Sequence, residues 1–143
     1  MAVKRYLVPV DFSKSSDAAL SYGGRLLKEN KQASLILVHV ITESAAKVPF
    51  YMREKYYEEL KEEARKKIRR LLNKKHLRAL KSRVVIVTSS DPARAIANQA
   101  KKSKASMIIM GSRGRTGLKR LVLGSVAERT LRYASCPVLI VKR

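Results

Sequence analysis

At 143 residues the chain is long enough for one domain with a single sizeable core. With 45% hydrophobic and 30% charged residues it is neither disordered nor collagen-like, and no apolar run approaches the ~18 residues of a membrane helix. Its 32 Lys and Arg against 11 Asp and Glu leave a formal charge of +21, which attracts polyanions whatever the fold: nucleic acid, anionic membrane surfaces and phosphorylated small molecules all qualify.

The opening MAVKRYLVPVDFS has too short an apolar stretch behind its cations for a signal-peptide core, and leads straight into ordered sequence. Tyr6 to Val10, Ser34 to Val40, Arg83 to Thr88, Ser106 to Met110 and Pro137 to Val141 are near-continuously apolar. Such runs predict short strands buried on both faces of a sheet. Helical spacing fills the intervals: Ser15 to Lys28, Tyr51 to Leu80, Pro92 to Lys102 and Ser125 to Tyr133. Strands alternating with helices predict successive βαβ units, hence an open, doubly wound five-stranded parallel sheet with helices on both faces. No linker, internal repeat or low-complexity stretch interrupts the pattern, so residues 1–143 read as one domain.

The ends of these helices carry their own signals. Asp91-Pro92 offers an N-cap acceptor and then proline at the first helical position. Ser125-Val126-Ala127-Glu128 has capping-box spacing, with Ser125 as the expected cap. In the second helix Tyr56, Leu60, Ala64, Ile68, Leu71 and Leu72 give one apolar face. Its acids lie early and its cations late, which complements the helix dipole. That charge run reads as a solvated face, with a nucleic-acid-binding helix as the alternative.

GSRGRTGLKRLVLGS, Gly111 to Ser125, holds four of the six glycines and no acidic residue. It follows the fourth strand, as Pro-Val-Asp-Phe-Ser from Pro9 follows the first. If those strands are neighbours, Asp11 and Gly111 face one crevice beyond the strands' carboxyl ends, where open α/β sheets bind ligands. A phosphate there meets backbone N–H groups and a helix N-terminus, and glycine lets the backbone come close. A Walker A loop is excluded, because Leu118 follows Gly117, and a Rossmann fingerprint is excluded, because no glycine follows the first strand. What remains is Gly111-x2-Gly114-x9-Gly124-Ser125, a weak signal as bare spacing.

Its surroundings are more specific. From Met110 to Val141, MGSRGRTGLKRLVLGSVAERTLRYASCPVLIV closely resembles the nucleotide-binding C-terminal third of the universal stress protein family. LVPVDFS in the first strand, LVHV closing the second, and Asp91-Pro92-Ala93-Arg94-Ala95-Ile96 opening the third helix agree in kind. The resemblance implies a flavodoxin-like sheet ordered 3-2-1-4-5. It also implies ATP binding, in the subgroup carrying G-x2-G-x9-G-[ST], with ADP or AMP as alternatives and Mg²⁺ riding on the nucleotide. Carried over by position, Asp11 and the Val40 backbone meet the adenosine half, with Pro9 close by. Met110 and Gly111 line the ribose and first phosphate, while Gly114, Gly124, Ser125 and Val126 hold the remaining phosphates. The chain departs from the family pattern at Ser106, Asp91 and Arg113, where Asp, Gly and His are frequent; Arg113 adds a charge able to strengthen the hold on phosphate.

The sequence contains no dedicated catalytic set, so the reading is a binder with at most slow ATP hydrolysis. His39 reads as a core histidine, His76 as a solvated residue on the cationic helix. Cys136, the only cysteine, cannot form an internal disulfide, supports no metal site and reads as a small buried residue; a reducing cytoplasm is the expected compartment. The resemblance implies a homodimer, and the apolar strand Pro137 to Val141, if at a sheet edge, is the surface for it. Together these readings describe a nucleotide-dependent switch or sensor in stress response. The alternative is the same fold with nucleic acid or another polyanion as its main ligand.

Overall fold

A computed structural model describes residues 3–43, 48–113 and 122–142. The elements in chain order are β1 (Arg5–Pro9), α1 (Lys14–Glu29), β2 (Ser34–Thr42), a 3₁₀ turn (Phe50–Met52), α2 (Arg53–Lys74), β3 (Ser82–Ser89), α3 (Pro92–Lys102), β4 (Met107–Gly111), α4 (Ser125–Tyr133) and β5 (Val138–Val141). The strands form one sheet in the order β3-β2-β1-β4-β5, every neighbouring pair parallel. Order and class are those expected from the sequence.

Strand side chains alternate between two covered faces, which is why the strands read as continuous apolar runs. Tyr6, Val8, Leu35, Leu37 and Ile109 pack toward Leu20, Leu27, Ile68 and Leu72 of α1 and α2. Leu7, Ile36, Val38, Ile108 and Met110 pack toward Ile96, Ala100 and Ala127 of α3 and α4. Leu7, Leu20, Leu37, Ile68, Ile108 and Ile109 are wholly removed from solvent. Burying each such side chain is worth about 1.5–3 kcal/mol.

Two helix ends depart from the sequence reading. α2 stops at Lys74 rather than Leu80, because His76 takes the left-handed conformation at φ 53°. Leu77 N–H then returns to the Leu72 carbonyl at 2.9 Å and His76 N–H to Asn73 at 3.0 Å. This is a Schellman closure, fastened by buried Leu77 and Leu72 in one core cluster. His76 is exposed as expected, but in the turn rather than on the helix. Lys104, at φ 52°, closes α3 the same way, with Ala105 N–H on the Ala100 carbonyl.

At α4 the cap is Gly124, with extended backbone at φ −62° and ψ 148°, and Ser125 is already the first helical residue. The Ser125–Glu128 capping box is therefore corrected: Glu128 N–H bonds the Gly124 carbonyl at 2.9 Å, and Gly124 has no side chain with which to cap this helix start. The Asp91 cap is as expected, its Oδ1 accepting from Arg94 N–H at 3.2 Å with Pro92 next in sequence. The opposite carboxylate oxygen accepts from Arg129 of α4 at 2.6 Å, tying the two helices together.

Candidate functional site

The winding direction of the sheet reverses between β1 and β4, so connections leave their carboxyl ends in opposite senses and open a crevice there. The crevice is a cavity of about 610 Å³. That falls within the ~300–1,000 Å³ of small-molecule sites. Residues 9–12 and 38–42, the face of α2 carrying Leu60 and Ala64, Ile96 of α3, the end of β4 and residues 124–127 enclose it.

Each wall has a local cause. After β1, Asp11 Oδ1 accepts from Ser13 N–H at 2.9 Å, turning the chain into α1. Ser13 then caps α1 by accepting from Ser16 N–H at 3.1 Å, and Ser16 Oγ accepts from Asp11 N–H at 3.3 Å. Between them Phe12 sits at φ 65°, rare for a non-glycine residue, with its ring 4.9 Å from that of His39. His39 is buried and its Nδ1–H donates to the Val10 carbonyl at 2.6 Å, so β2 and the end of β1 are joined at the cavity wall that both residues line.

At the other wall Gly111 ends β4 against the first turn of α1. A Cβ there would stand 2.6 Å from the carbonyl carbon and oxygen of Ser15. Packing alone thus demands glycine at this position, independently of any ligand. Arg113 N–H reaches Ser15 Oγ at 3.3 Å, and Gly124 N–H donates to the Ser112 carbonyl at 2.8 Å. The described ends of the glycine-rich segment therefore meet at the cavity, one at the end of β4 and the other at the start of α4.

Pro9, Asp11, Val40, Met110, Gly111, Arg113, Gly124, Ser125 and Val126 all line this one cavity. Gly114 lies outside the described residues. Sequence reasoning missed the contribution of α2 and the shaping residue Phe12. Leu60 and Ala64 were legible as an apolar face, but nothing in spacing says that this face roofs a cavity. Lys67 also reaches the lining, paired with Glu63 at 2.8 Å, and its hydrogen bond and charge hold the Glu63 carboxyl below the usual range. Asp11 and Glu63 are thus acids of the cavity wall, Lys67 and Arg113 its cations. Cys136 is half-buried rather than fully buried, and that burial pushes its thiol pKa up. Ser106, where Asp is frequent, bridges β1 and β4: its Oγ accepts from Arg5 N–H at 3.1 Å. Among the described residues, no three His, Cys, Asp or Glu cluster as a metal site, and no helix is long and apolar enough to cross a membrane.

Residues 2–142 match the universal stress protein family. The chain belongs to that family. Universal stress protein YxiE of Bacillus subtilis is 35% identical, the match covering 96% of this chain and 98% of YxiE. MJ0577 of Methanocaldococcus jannaschii, another universal stress protein, is similar in both sequence and structure. Its solved structure superposes with a TM-score of 0.86 at 34% identity, covering 100% of this chain and 98% of that one. A universal stress protein from Archaeoglobus fulgidus, solved in complex with dAMP, shares the fold at a TM-score of 0.65 and 16% identity, over 97% of each chain. The fold that opens the crevice in this universal stress protein is thus one it shares with MJ0577.

Proposed function

We propose that the crevice is an adenine-nucleotide site with ATP as its ligand, and that the protein acts as a nucleotide-dependent switch or sensor in stress response. One observation carries the reading. The carboxyl ends of β1 and β4 and the glycine-capped start of α4 meet in a single cavity of about 610 Å³. First-turn N–H groups of a helix lack intrahelical partners, and the helix dipole makes their end positive. An anion at the start of α4 satisfies both, and the cap residue Gly124 has no side chain to compete for the place.

In this reading Gly124, Ser125 and Val126 hold phosphate oxygens, with Gly114 contributing from the glycine-rich segment. Met110 and Gly111 flank the ribose and first phosphate. The adenosine half lies toward Pro9, Asp11 and Val40, against the apolar wall of Val38 and Ile96. Ser125, released from capping, keeps its hydroxyl for a phosphate. Mg²⁺ enters on the nucleotide. The family is the further support, since one member of the same fold was solved with dAMP.

Calorimetric titration with Mg-ATP at near-physiological salt, on protein stripped of nucleic acid, tests the site. Saturable one-per-chain binding is expected. Gly124 has backbone angles open to any residue, so Gly124→Val probes ligand approach without backbone strain. Loss of binding with an unchanged melting temperature supports the reading; no binding by the unaltered protein overturns it.

The edge strand β5 is the surface for a two-fold homodimer, which would remove an unpaired edge. Two copies at +21 repel, so association is expected to strengthen with salt or nucleotide. Monomer at every salt concentration and with ATP, in analytical ultracentrifugation, overturns the dimer.

A further inference from the structure

A second cavity, of about 440 Å³, lies between α1 and the later turns of α2, lined by Phe12, Asp17, Lys67, Arg70, Leu71 and Lys74. Its floor is apolar, because Phe12 and Leu71 both pack on the buried cluster beneath them. Its rim is cationic. Lys67, Arg70 and Lys74 stand at i, i+3 and i+7, hence on one helix face. Seven residues at ~1.5 Å rise span roughly 10 Å, about three nucleotides at ~3.4 Å each along a strand.

Lys67 is paired with Glu63 and its Nζ stands 5.8 Å from the centre of the Phe12 ring, but the other two cations of this rim, Arg70 and Lys74, are not explained by pairing within the fold. From Arg65 to Arg83 the chain carries 10 Lys and Arg and no Asp or Glu. The ion pairs of α2 all use the glutamates of its first half. Among the described residues no ion pair engages Arg70 or Lys74, and both are exposed. The positive-φ backbone of Phe12 sets its ring as a wall common to both cavities. Such a conformation costs of order 1–3 kcal/mol and persists only where surroundings enforce it.

We propose that this groove binds a segment of single-stranded nucleic acid, a base lying over Phe12 and Leu71 and the flanking phosphates on Arg70 and Lys74. An aromatic floor with a basic rim is the arrangement that single strands use for stacking and backbone contact together. The one carboxylate of the lining, Asp17, selects between polyanions. A base amino group donates to it, whereas a bare polyphosphate offers no donor and is repelled. The proposal does not depend on the nucleotide reading of the larger crevice.

The test is fluorescence anisotropy with a fluorescein-labelled mixed-sequence DNA strand of about a dozen nucleotides, within the ~4–16 of single-strand sites. For single strands each phosphate contact contributes a log–log salt slope of about −0.7, so two contacts at ~0.1 M salt are worth about 25-fold relative to 1 M. Arg70→Ala with Lys74→Ala is therefore expected to weaken binding about 25-fold at ~0.1 M salt and to flatten the slope by about 1.4. Lys101→Ala with Lys102→Ala, exposed in the last turn of α3 and across the sheet, is expected to change neither. Mg-ATP titration of the Arg70/Lys74 variant keeps the two sites separate: its nucleotide binding is expected to match that of the unaltered protein. Inorganic polyphosphate of matched charge is expected to compete poorly, and better once Asp17→Asn removes the repulsion. Equal loss in both double variants makes the affinity diffuse and overturns the site. Polyphosphate competing as well as the strand makes it a bare anion groove and overturns the nucleic acid.

Discussion

Gly111→Ala tests how tightly α1 is docked on the end of β4. The new Cβ would stand 2.6 Å from the Ser15 carbonyl carbon and oxygen, and ordinary contact begins at 3.4 Å, so the helix must retreat by 3.4 − 2.6 = 0.8 Å. A flexible side-chain tip would swing away, but here the obstacle is backbone. Retreat also loosens the Ser13 cap and the Asp11 N–H bond to Ser16 Oγ. Overpacking costs about 1–3 kcal/mol and a weakened cap about 1 more, together about 2–4 kcal/mol. At roughly 3 °C per kcal/mol for a chain of this size, the melting temperature is expected to fall by roughly 6–12 °C. Gly23→Ala is the control and its melting temperature is expected to fall less, because its new Cβ meets side-chain atoms only, Leu35 at 3.0 Å and Val8 at 3.3 Å, and alanine favours the helix. Thermal melts and urea titrations of both variants decide the matter. An unchanged or raised melting temperature for Gly111→Ala refutes the close approach, since in open space alanine gains about 0.4–1 kcal/mol from the unfolded chain.

Two further substitutions and one reactivity each test a single group. Thr130 is fully buried in α4 and its hydroxyl has no hydrogen-bond partner among the described residues. Thr130→Val is expected to stabilise by about 1 kcal/mol, read as a rise of roughly 3 °C in the melting temperature; a fall refutes the unsatisfied hydroxyl. Asp91→Ala removes the α3 cap and the Arg129 bond together, for an expected loss of about 1–2 kcal/mol by urea unfolding. Burial raises the Cys136 thiol pKa, so less thiolate is present near pH 8 than in a free peptide. Iodoacetamide is expected to label it more slowly in the folded protein than in urea, and equal rates refute the shielding.

The legible parts of the fold are those set by local pattern. The apolar runs of β1, β2 and β4 are continuous because both faces of each strand are covered, and that pattern is visible in one dimension. Asp91-Pro92 announced α3 because an acceptor followed by a fixed φ has little else to do. The two corrections have a common physical origin. Ser125 and Gly124 can both precede a helix, and the choice fell to Gly124 once its N–H was held by the Ser112 carbonyl. The end of α2 fell at Lys74 because Leu77 is buried near Leu72 and Gly24, a contact with no local signature.

The sequence by itself determined the alternation of strand and helix, the two-sided burial of the sheet, the excess of positive charge and the glycine-rich segment between β4 and α4. These depend on residue type and on neighbours a few positions apart. Only the tertiary structure decided that Leu60 and Ala64 roof the crevice, that Phe12 takes a left-handed backbone at its wall, and that Gly111 is required by the Ser15 backbone. It also gathered three cations of one long run beside Asp17. Each of these joins residues far apart in the chain, and such contacts are settled by which helix packs on which face.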